Sequence, residues 1–383
     1  MNVVVVGAGI GGLAAAVALS RAGHEVVVCE RARELREVGA GVQLSPNAAR
    51  LLETWGLGTR LWDLAVQPQR IVIRRWRDDE VLRAMPLGEA FTQRYGCPYA
   101  NIHRHDLVTV LAEALAGVSG VSLRLGVEVT GVEVTGVRLA DGSTIRADVV
   151  VGADGIHSVI RTSLFGPTPS RFSGAVAYRA LIPRALVADL PIEVNNRLGP
   201  DSHVVTYFIG RDARLLNLVC VVPEPNWDVE SWTEPGSVEE LRAAFTDWSP
   251  ELRRLLDLVE APVFRWALHD REPLSEWGSG AVTLLGDACH PMLPFMAQGA
   301  CQAIEDAAVL AACLDDDVET SLRRYEAARR PRATKVQSLS WRNRETYHLA
   351  DGPLQERRDT AYAELGDDLT SFDWLYGHDV SNV

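Results

Sequence analysis

Residues 3–19 read VVVVGAGIGGLAAAVAL, an unbroken valine run followed by closely spaced glycines and a segment of small apolar residues. Four consecutive valines are typical of a strand that is buried on both faces, as in a parallel sheet. The segment IGGLAAAVALSRAG (10–23) predicts a helix that ends at Gly23, and EVVVCE (25–30) predicts the next strand. The sequence therefore opens with a predicted βαβ unit whose first turn is rich in glycine.

The glycines of this turn match the pattern GxGxxG at Gly7, Gly9 and Gly12. In such a turn the first glycine permits the bend, the second lets the backbone approach a pyrophosphate, and the third lets the helix pack closely on the strand. Glu30 ends the next strand, where a carboxylate can bind ribose hydroxyls, and Arg31 beside it is a second predicted cofactor contact. The same glycines can form a purely structural turn, but the order of strand, turn, helix, strand and acid favours a dinucleotide. An acid at this place disfavours a 2′-phosphate, so NAD or FAD is predicted rather than NADP.

Composition excludes several classes of protein. The 383 residues are 47% hydrophobic and 23% charged, which is ordinary for a globular enzyme of two domains and too apolar for disorder. A net charge of -13 argues against a nucleic-acid partner. The six cysteines form no CxxC pair, which favours a reducing, cytoplasmic location. Residues 3–19 contain four glycines and follow no basic cluster, so neither a signal peptide nor a membrane segment is expected.

The pattern of predicted elements changes along the chain. Buried-strand and helical patterns alternate near the amino terminus, whereas residues 176–222 consist of short alternating segments with no helix between them. That second pattern predicts an antiparallel sheet in a separate domain. AVTLLGDACH (281–290) returns to the buried-strand pattern, so the first domain is expected to be discontinuous in sequence. The predicted fold class is α/β.

Two further segments distinguish FAD from NAD. VVVGADGIHSVIR (149–161) resembles the second fingerprint of flavin-dependent aromatic hydroxylases, and LLGDACHPMLPFMAQGACQAIEDAAVLA (284–311) is similar, nearly residue for residue, to the segment of that family that contacts the flavin. The family is the single-component FAD-dependent aromatic hydroxylases with the para-hydroxybenzoate hydroxylase fold. The resemblance is nearest to the branch of 6-hydroxynicotinate 3-monooxygenase, 3-hydroxybenzoate 6-hydroxylase and salicylate hydroxylase. It extends over most of the chain, including GAGVQLSPNA (39–48), YGCPYANIHRHDL (95–107), GAVAYRALIP (174–183), REPLSEW (271–277) and FDWLYGHD (372–379).

The resemblance implies a division of the chain into three parts. The predicted parts are a Rossmann-like FAD-binding domain at 1–70, 98–175 and 265–335, a substrate-binding domain with a mixed or antiparallel sheet at 71–97 and 176–264, and a helical carboxy-terminal segment at 336–383.

The resemblance also assigns cofactor contacts. Asp154 belongs to the second fingerprint, and Asp287 is expected to accept a hydrogen bond from a ribityl hydroxyl. Arg104 is expected to reach the flavin chain or the pyrophosphate. Gly299 and Ala300 begin a helix whose amides would face the N1–C2=O edge of the flavin, where the reduced ring is anionic and a helix amino terminus stabilises it.

A metal site is the alternative interpretation of the same segment, because six potential ligands lie close together there. They are Asp287, Cys289, His290, Cys301, Glu305 and Asp306. Their spacing contains neither HxxE nor ExxH, and the two cysteines are more typical of small apolar fillers. No metal is therefore predicted.

The expected chemistry also follows from the resemblance. Only one complete GxGxxG occurs, so no second Rossmann site for a nicotinamide is predicted. In the family, NADH or NADPH binds transiently and reduces FAD, and O2 then forms a C4a-hydroperoxyflavin that transfers OH to an electron-rich ring. The resemblance thus implies a monooxygenase that hydroxylates a small hydroxylated aromatic or heteroaromatic compound, expected to be an acid. Decarboxylation would accompany the reaction if the attacked carbon carried the carboxylate.

Residues 203–210, HVVTYFIG, predict the substrate side of the site. Strand alternation puts His203, Val205 and Tyr207 on one face, and a His and a Tyr of the family match the two polar positions. Both are predicted catalytic residues, with His203 as proton acceptor or relay because its intrinsic pKa lies near neutrality. The structural alternative is that both are merely satisfied polar residues of a sheet face.

Three other residues complete the predicted pocket. Gln43 is predicted to act near flavin and substrate, although 6-hydroxynicotinate enzymes carry His there. Phe295, beside Pro294, replaces a polar residue of several relatives and predicts a more apolar wall.

Arg179 and Arg75 could bind a substrate carboxylate, but scattered arginines are usually solvated or paired at surfaces.

Two alternatives to this function stay open. One is other flavin chemistry on the same fold, such as epoxidation or hydroxylation of a larger secondary-metabolite ring. The other is a non-catalytic nucleotide-binding module, which predicts a colourless protein. The expected partners are the small aromatic substrate, O2 and NAD(P)H, and the resemblance with the aromatic tail is compatible with a homodimer.

Overall fold

A computed structural model describes residues 1–35, 41–225 and 234–380. The strands in this part of the chain are β1 (Asn2–Val6), β2 (Glu25–Glu30), β3 (Gly41–Leu44), β4 (Arg70–Arg75), β5 (Val81–Pro86), β6 (Ala100–His103), β7 (Val121–Leu125), β8 (Val129–Glu133), β9 (Gly136–Leu139), β10 (Thr144–Arg146), β11 (Val149–Gly152), β12 (Arg171–Pro183), β13 (Val194–Gly199), β14 (Ser202–Ile209), β15 (Leu215–Pro223), β16 (Glu234–Gly236), β17 (Val263–Asp270), β18 (Gly278–Ser279) and β19 (Val282–Leu284). The helices are α1 (Ile10–Arg21), α2 (Pro46–Thr54), α3 (Gly58–Leu64), α4 (Glu89–Tyr95), α5 (Arg104–Leu115), α6 (Val159–Phe165), α7 (Val238–Ala243), α8 (Pro250–Asp257), α9 (Gly299–Cys313), α10 (Val318–Tyr347), α11 (Pro353–Leu365) and α12 (Asp373–Tyr376).

The amino-terminal valine run forms the centre of a six-stranded sheet with the order β18-β19-β11-β1-β2-β7. All of its pairings are parallel except that between β18 and β19. The run is fully buried because helices cover the sheet, with α1 packed against both α5 and α9. Strand β19 and helix α9 come from late in the sequence, so this layer is assembled from distant segments. The predicted α/β class is confirmed.

An eight-stranded sheet forms the second layer, in the order β16-β17-β12-β15-β14-β13-β4-β5. It is mixed, since β13 pairs with β4 in parallel and its other pairings are antiparallel. On one face a separate apolar core packs it against α7 and α8. The other face turns towards the six-stranded sheet. The predicted boundary at 176 falls inside β12, which begins at Arg171, and the domain limits stay a prediction.

The carboxy-terminal part is helical, as predicted, but its long helix α10 begins at Val318, well before the predicted limit. Helix α10 packs against α9, and the aromatic residues after it fold back onto α4. Tyr376 contacts Phe91 and Tyr95 edge-on, with ring centroids 6.0 and 5.6 Å away. The aromatic tail is therefore packed within the chain, and the homodimer prediction rests on the resemblance alone.

Candidate active site

A cavity of about 610 Å³ lies between the two sheets. At one end it is bounded by the amino ends of α1 and α9, and at the other by one face of β14. Its lining includes most of the residues predicted from the sequence, namely Gly9, Gln43, Arg104, His203, Val205, Tyr207, Asp287, Pro294, Phe295, Gly299 and Ala300. The lining residues come from segments that lie far apart in sequence.

The three glycines of the first turn are required for different reasons. Gly7 has φ +101°, and a Cβ there would lie 2.5 Å from the carbonyl oxygen of Ala153. A Cβ on Gly12 would lie 1.9 Å from the carbonyl oxygen of Gly7, so helix and strand could not pack as they do. A Cβ on Gly9 would meet no protein atom within 4 Å. The packing of the chain thus explains Gly7 and Gly12, whereas Gly9 leaves the cavity open to an approaching group.

Glu30 is held rigidly at the end of β2. One carboxylate oxygen accepts the N–H of Ala8 and the other that of Ala32, both at 2.8 Å. Each oxygen retains a lone pair that can accept a further hydrogen bond, so the predicted ribose contact is compatible with this arrangement. Arg31 is exposed and is not among the residues that line the cavity. Its cofactor role stays a prediction.

Asp154 acts on the site through the backbone. It accepts hydrogen bonds from the Ser158 hydroxyl at 2.6 Å and from the Val159 N–H at 2.7 Å, and so caps α6. Its neighbours Ala153 and Gly155 line the cavity, whereas Asp154 is not among the lining residues. The structure therefore places Asp154 as the residue that fixes this turn.

Asp287 and the start of α9 lie side by side. Asp287 follows β19 on a short 3-10 turn, and a Cβ on Gly299 would lie 4.0 Å from its Oδ1. The side chain is accessible from the cavity, yet burial raises its pKa, against the opposing effects of His290 and Arg104. Arg104, the first residue of α5, is the cation of this region, and burial lowers its pKa.

Both helices that point at the cavity begin without a side-chain cap. The N-cap residues, Gly9 for α1 and Gln298 for α9, give no capping hydrogen bond, and neither first turn contains an acid. Free N–H groups and positive dipole ends therefore face one space from two directions. With Arg104 and Asp287 between them, these groups suit a pyrophosphate, a polyol chain and an anionic ring edge, three parts that FAD contains.

Strand β14 presents the predicted face to the cavity. His203, Val205 and Tyr207 line it, whereas Val204 and Phe208 pack into the core on the opposite side of the sheet. The period-2 prediction is therefore confirmed. His203 is only 2% exposed, and burial, with a smaller contribution from His348, lowers its pKa well below the usual value. Burial raises the pKa of Tyr207 to about 12, so its phenol stays protonated.

Apolar side chains close the space around His203. Phe295 packs edge-on against its imidazole with ring centroids 5.0 Å apart, which agrees with the predicted apolar wall. Gln43 lies on β3, and its Nε2 donates to Asn101 Oδ1 at 3.5 Å. A Cβ on Gly41 would lie 2.5 Å from the Tyr207 ring, so this glycine allows β3 to approach β14.

Sequence reasoning missed the contribution of α10. Asn343 and Tyr347 line the cavity, and His348, which follows them, forms a 2.7 Å hydrogen bond between its Nε2 and Nδ1 of His203. Burial lowers the pKa of His348 to about 4, with Arg344 as a second cause. The two histidines lie 145 positions apart, and the sequence showed only a polar, aromatic helical tail.

Arg179 departs from the expectation for scattered arginines. Arg75 pairs at the surface with Asp78 and Glu80, as expected. Arg179 instead lines the cavity, and its guanidinium carbon lies 3.5 Å from the ring centroid of Trp266. Among the described residues no carboxylate pairs with it, and its Nε has no hydrogen-bond partner. Burial lowers its pKa to about 10, so it remains a cation at neutral pH.

The acids of α9 belong to a buried ion network with α10. Arg332 donates to both oxygens of Glu305, at 2.7 and 2.8 Å, and Arg329 donates to Asp306 at 2.8 Å. His290 bonds the other Asp306 oxygen at 2.6 Å. Although burial opposes it, His290 and Arg329 lower the pKa of Asp306 to about 2.

This network bears on the metal alternative. The candidate ligand atoms of Cys289, His290 and Asp306 lie within 4.8 Å of one another. However, Asp306 is already paired with Arg329 and with His290, and burial raises the pKa of the Cys289 thiol well above its usual range, so that it stays protonated. The arrangement therefore supplies a structural role for Asp306 in holding α9 to α10.

Comparison with known proteins decides the family. A family model described as FAD binding domain matches residues 1–340. Over 389 aligned residues, covering 100% of this chain and 97% of the relative, the sequence is 41% identical to 3-amino-4-hydroxybenzoate 2-monooxygenase of Streptomyces platensis. The chain belongs to the FAD-dependent aromatic monooxygenases.

Other members of the family agree with this assignment. The sequence is 37% identical to 6-hydroxynicotinate 3-monooxygenase of Pseudomonas fluorescens, covering 100% of this chain and 96% of the relative. It is 36% identical to 3-hydroxybenzoate 6-hydroxylase of Klebsiella oxytoca, with 100% and 98% covered. A solved substrate complex of salicylate hydroxylase superposes with a TM-score of 0.84 at 28% identity, covering 100% of this chain and 96% of that one. The predicted family, fold, cofactor FAD and enzyme class are confirmed.

No helix in the described ranges combines the length and the apolar character that a membrane crossing would need.

Proposed function

We propose that the protein hydroxylates a small aromatic or heteroaromatic acid that bears a ring hydroxyl, and that it consumes O2 and NADH or NADPH. The observation that supports this most is the cavity itself, which joins two uncapped helix ends at one side to His203, Tyr207 and Arg179 at the other. Relatives named for 3-amino-4-hydroxybenzoate and 6-hydroxynicotinate act on rings that carry both a hydroxyl and a carboxylate.

The FAD end of the cavity offers partners for the pyrophosphate, the ribityl chain and the flavin ring. Gly9 and the first turn of α1, with Arg104, would hold the pyrophosphate, and Asp287 would accept a hydrogen bond from the ribityl chain. The amides of Gly299 and Ala300 would face the flavin ring. FAD held by these residues would supply the redox chemistry by which electrons from NADH or NADPH activate O2 and one oxygen atom is transferred to the substrate ring.

At the substrate end, His203 is the proton acceptor for the ring hydroxyl. Because its pKa is depressed, the imidazole is neutral at physiological pH and has a free lone pair. Removing the hydroxyl proton raises the electron density of the ring and makes the attacked carbon nucleophilic. Tyr207, on the same face two residues along, remains a neutral phenol that orients the same polar edge of the ring.

Arg179 is the partner for the carboxylate. Arg179 lines the cavity and has no carboxylate partner in the described chain. An anionic ligand would therefore stabilise its guanidinium, because an unpaired charge away from water is costly. Phe295, Pro294 and Val205 form apolar walls that hold the ring and limit the access of water. The arrangement favours an acid over a neutral phenol.

The size of the cavity bears on the alternatives. About 610 Å³ must accommodate both the flavin ring and the substrate, which favours a single small ring over a large secondary-metabolite scaffold. Decarboxylation would accompany hydroxylation only if the bound pose placed the carboxylate on the attacked carbon.

Absorbance and NAD(P)H oxidation test the proposal. Purified protein supplied with FAD should show a flavin spectrum, and ring-hydroxylated aromatic acids should accelerate the oxidation of NADH or NADPH and yield a hydroxylated product. A protein that cannot be loaded with FAD would contradict the proposal and support a binding module. Hydroxylation restricted to large multi-ring compounds would favour the tailoring alternative.

A further inference from the structure

The hydrogen bond between His203 and His348 leads out of the cavity. His203 is almost fully buried and lines the cavity, whereas His348 is half-buried and stands at the carboxyl end of α10. The two rings lie 5.0 Å apart between centroids and are tilted by 33°. The pair thus connects an internal ring nitrogen to a residue near the molecular surface.

The bond uses one nitrogen of each imidazole and leaves the other available. Nδ1 of His203 contacts Nε2 of His348 at 2.7 Å, so one of the two is the donor. Nε2 of His203 and Nδ1 of His348 are then the two ends of the pair. Phe295 and Tyr347 pack edge-on against the His203 ring, with centroids 5.0 and 5.5 Å away, and fix its orientation.

We propose that His203 and His348 form a proton relay in which His348 is the exit residue for the proton of the substrate's ring hydroxyl. This inference rests on the proposed function and extends it from the acceptor to the route by which the proton leaves.

The protons balance along this route. In the resting pair, His203 carries its proton on Nδ1 and donates it to Nε2 of His348, whose own proton is on Nδ1. When the ring hydroxyl gives its proton to Nε2 of His203, the Nδ1 proton moves to His348. His348 then releases its Nδ1 proton to water. His203 is left as the opposite tautomer, the substrate hydroxyl as its anion, and both imidazoles are neutral again.

The groups around the two histidines favour release of the proton to water over its retention on His348. Arg344, one turn before His348 on α10, disfavours a cationic His348, while the helix carboxyl end partly offsets this effect. Asp201, whose N–H donates to the His348 carbonyl at 3.2 Å, lies at the exposed turn between β13 and β14. Tyr347 donates its hydroxyl to the Phe295 carbonyl at 3.4 Å, and burial raises its pKa, so it stays neutral.

Variants of His348 show whether this residue passes a proton on or only holds His203 in place by a hydrogen bond. In His348→Gln the amide can still hydrogen-bond Nδ1 of His203 but cannot pass a proton on. His348→Asn is a second variant with a shorter side chain. His24→Gln, in the turn between α1 and β2, is the matched control because it is not among the residues that line the cavity.

The measurement is proton release, followed with a pH indicator in weak buffer after the FAD-loaded protein is mixed with a phenolic acid. The probes are 3-amino-4-hydroxybenzoate, 6-hydroxynicotinate and 3-hydroxybenzoate. We expect release by the wild type and His24→Gln to be at least tenfold faster than by either His348 variant, with ligand Kd changed less than about threefold. Free imidazole should restore part of the lost rate.

The outcomes separate the relay from the proposed function. If His348→Gln releases protons as fast as the wild type, or if hydroxylated probes bind without releasing a proton, the relay is overturned while the function stands. If no probe releases a proton or accelerates NAD(P)H oxidation in the wild type, both are overturned.

Discussion

Arg179 is the residue whose chemistry most narrows the substrate. It is a half-buried cation that lines the cavity, stacked on Trp266 and without a carboxylate partner in the described part of the chain. We expect Arg179→Gln to raise the KM for an aromatic acid roughly 100-fold, as expected when a buried charge pair is lost. The KM for the corresponding neutral amide should change little. Arg75→Gln, at the surface, is the control, and equal losses for acid and amide would remove Arg179 from carboxylate binding.

Asp287 is the residue that most directly links the chain to its cofactor. Its carboxylate lies beside the start of α9 and is accessible from the cavity. Asp287→Ala should lower FAD affinity by at least tenfold, because a charge-assisted hydrogen bond to the ribityl chain is lost, and Asp287→Asn should lower it less. Equilibrium dialysis with FAD measures both. Loss of bound zinc with unchanged FAD affinity would instead support the metal alternative.

Residue positions could be predicted only where a local pattern sets them. The alternation of β14 gave the cavity face of His203, Val205 and Tyr207, because side chains of a strand point to opposite faces in turn. His348 could not be predicted, since its contact with His203 depends on how α10 packs in the folded chain. That Arg179 has no carboxylate partner among the described residues likewise depends on packing and cannot be read from the sequence.

At the scale of elements, the first turn and α1 offer a paired test. Gly12→Ala would force a Cβ to 1.9 Å from the Gly7 carbonyl, and we expect it to destabilise the fold by about 3 kcal/mol through overpacking. Gly9→Ala meets no protein atom within 4 Å and Gly9 has φ -72°, so the flavin-free protein should keep its Tm. Its FAD affinity should nevertheless fall markedly. Unchanged FAD binding by Gly9→Ala would contradict the assignment of this turn to the pyrophosphate.

The contact between α9 and α10 rests on buried charges. Arg329, only 1% exposed, pairs with Glu305 and Asp306, and replacing it with Met leaves both acids without this partner. We expect Arg329→Met to lower the free energy of unfolding by about 3–5 kcal/mol, measured by urea denaturation. Arg330→Met on the same helix removes a half-exposed pair with Glu326 and should cost less than about 1 kcal/mol. If both variants lowered the free energy of unfolding by similar amounts, the buried network would contribute no more stability than a surface ion pair.

The helix α9 could be predicted from the sequence, but its ion pairs with α10 could not. The segment that begins α9 predicts a helix, and its two acids appear in the sequence only as potential metal ligands. Their partners lie on α10, whose arginines have no sequence feature that distinguishes a buried from a solvated position. Ion pairs between distant helices follow from tertiary packing and could not be read from spacing.

For the whole molecule, the two histidines predict a loss of stability in weak acid. The folded-state pKa of His348 is about 4 and that of His203 lies well below 6.5, so the unfolded chain binds protons in a range where the folded protein does not. Stability from this source is present above about pH 6.5 and is lost as the pH falls towards 4. The Tm of the wild type should fall over that range, and that of His348→Gln should fall less. If the Tm of both proteins fell equally with pH, the assignment of neutral histidines would be contradicted.

The overall architecture was largely predictable, whereas the limits between its parts stay a prediction. Buried parallel strands and an antiparallel region leave different hydrophobic periods, so the two kinds of sheet were distinguishable in sequence. Strand β12 and helix α10 each run across a predicted domain limit, because a continuous element has no break in its pattern where it passes from one layer to the next.

We propose that the enzyme inserts one oxygen atom of O2 into a ring-hydroxylated aromatic acid bound in this cavity. The most direct measurement is mass spectrometry of the product formed by the FAD-loaded protein with NADH or NADPH under ¹⁸O2. We expect the wild type to form a hydroxylated acid that contains one ¹⁸O atom. His203→Ala should form less of this product per NAD(P)H consumed. A product whose new oxygen comes from water, or NAD(P)H consumption that yields only H2O2 with every such acid, would contradict it.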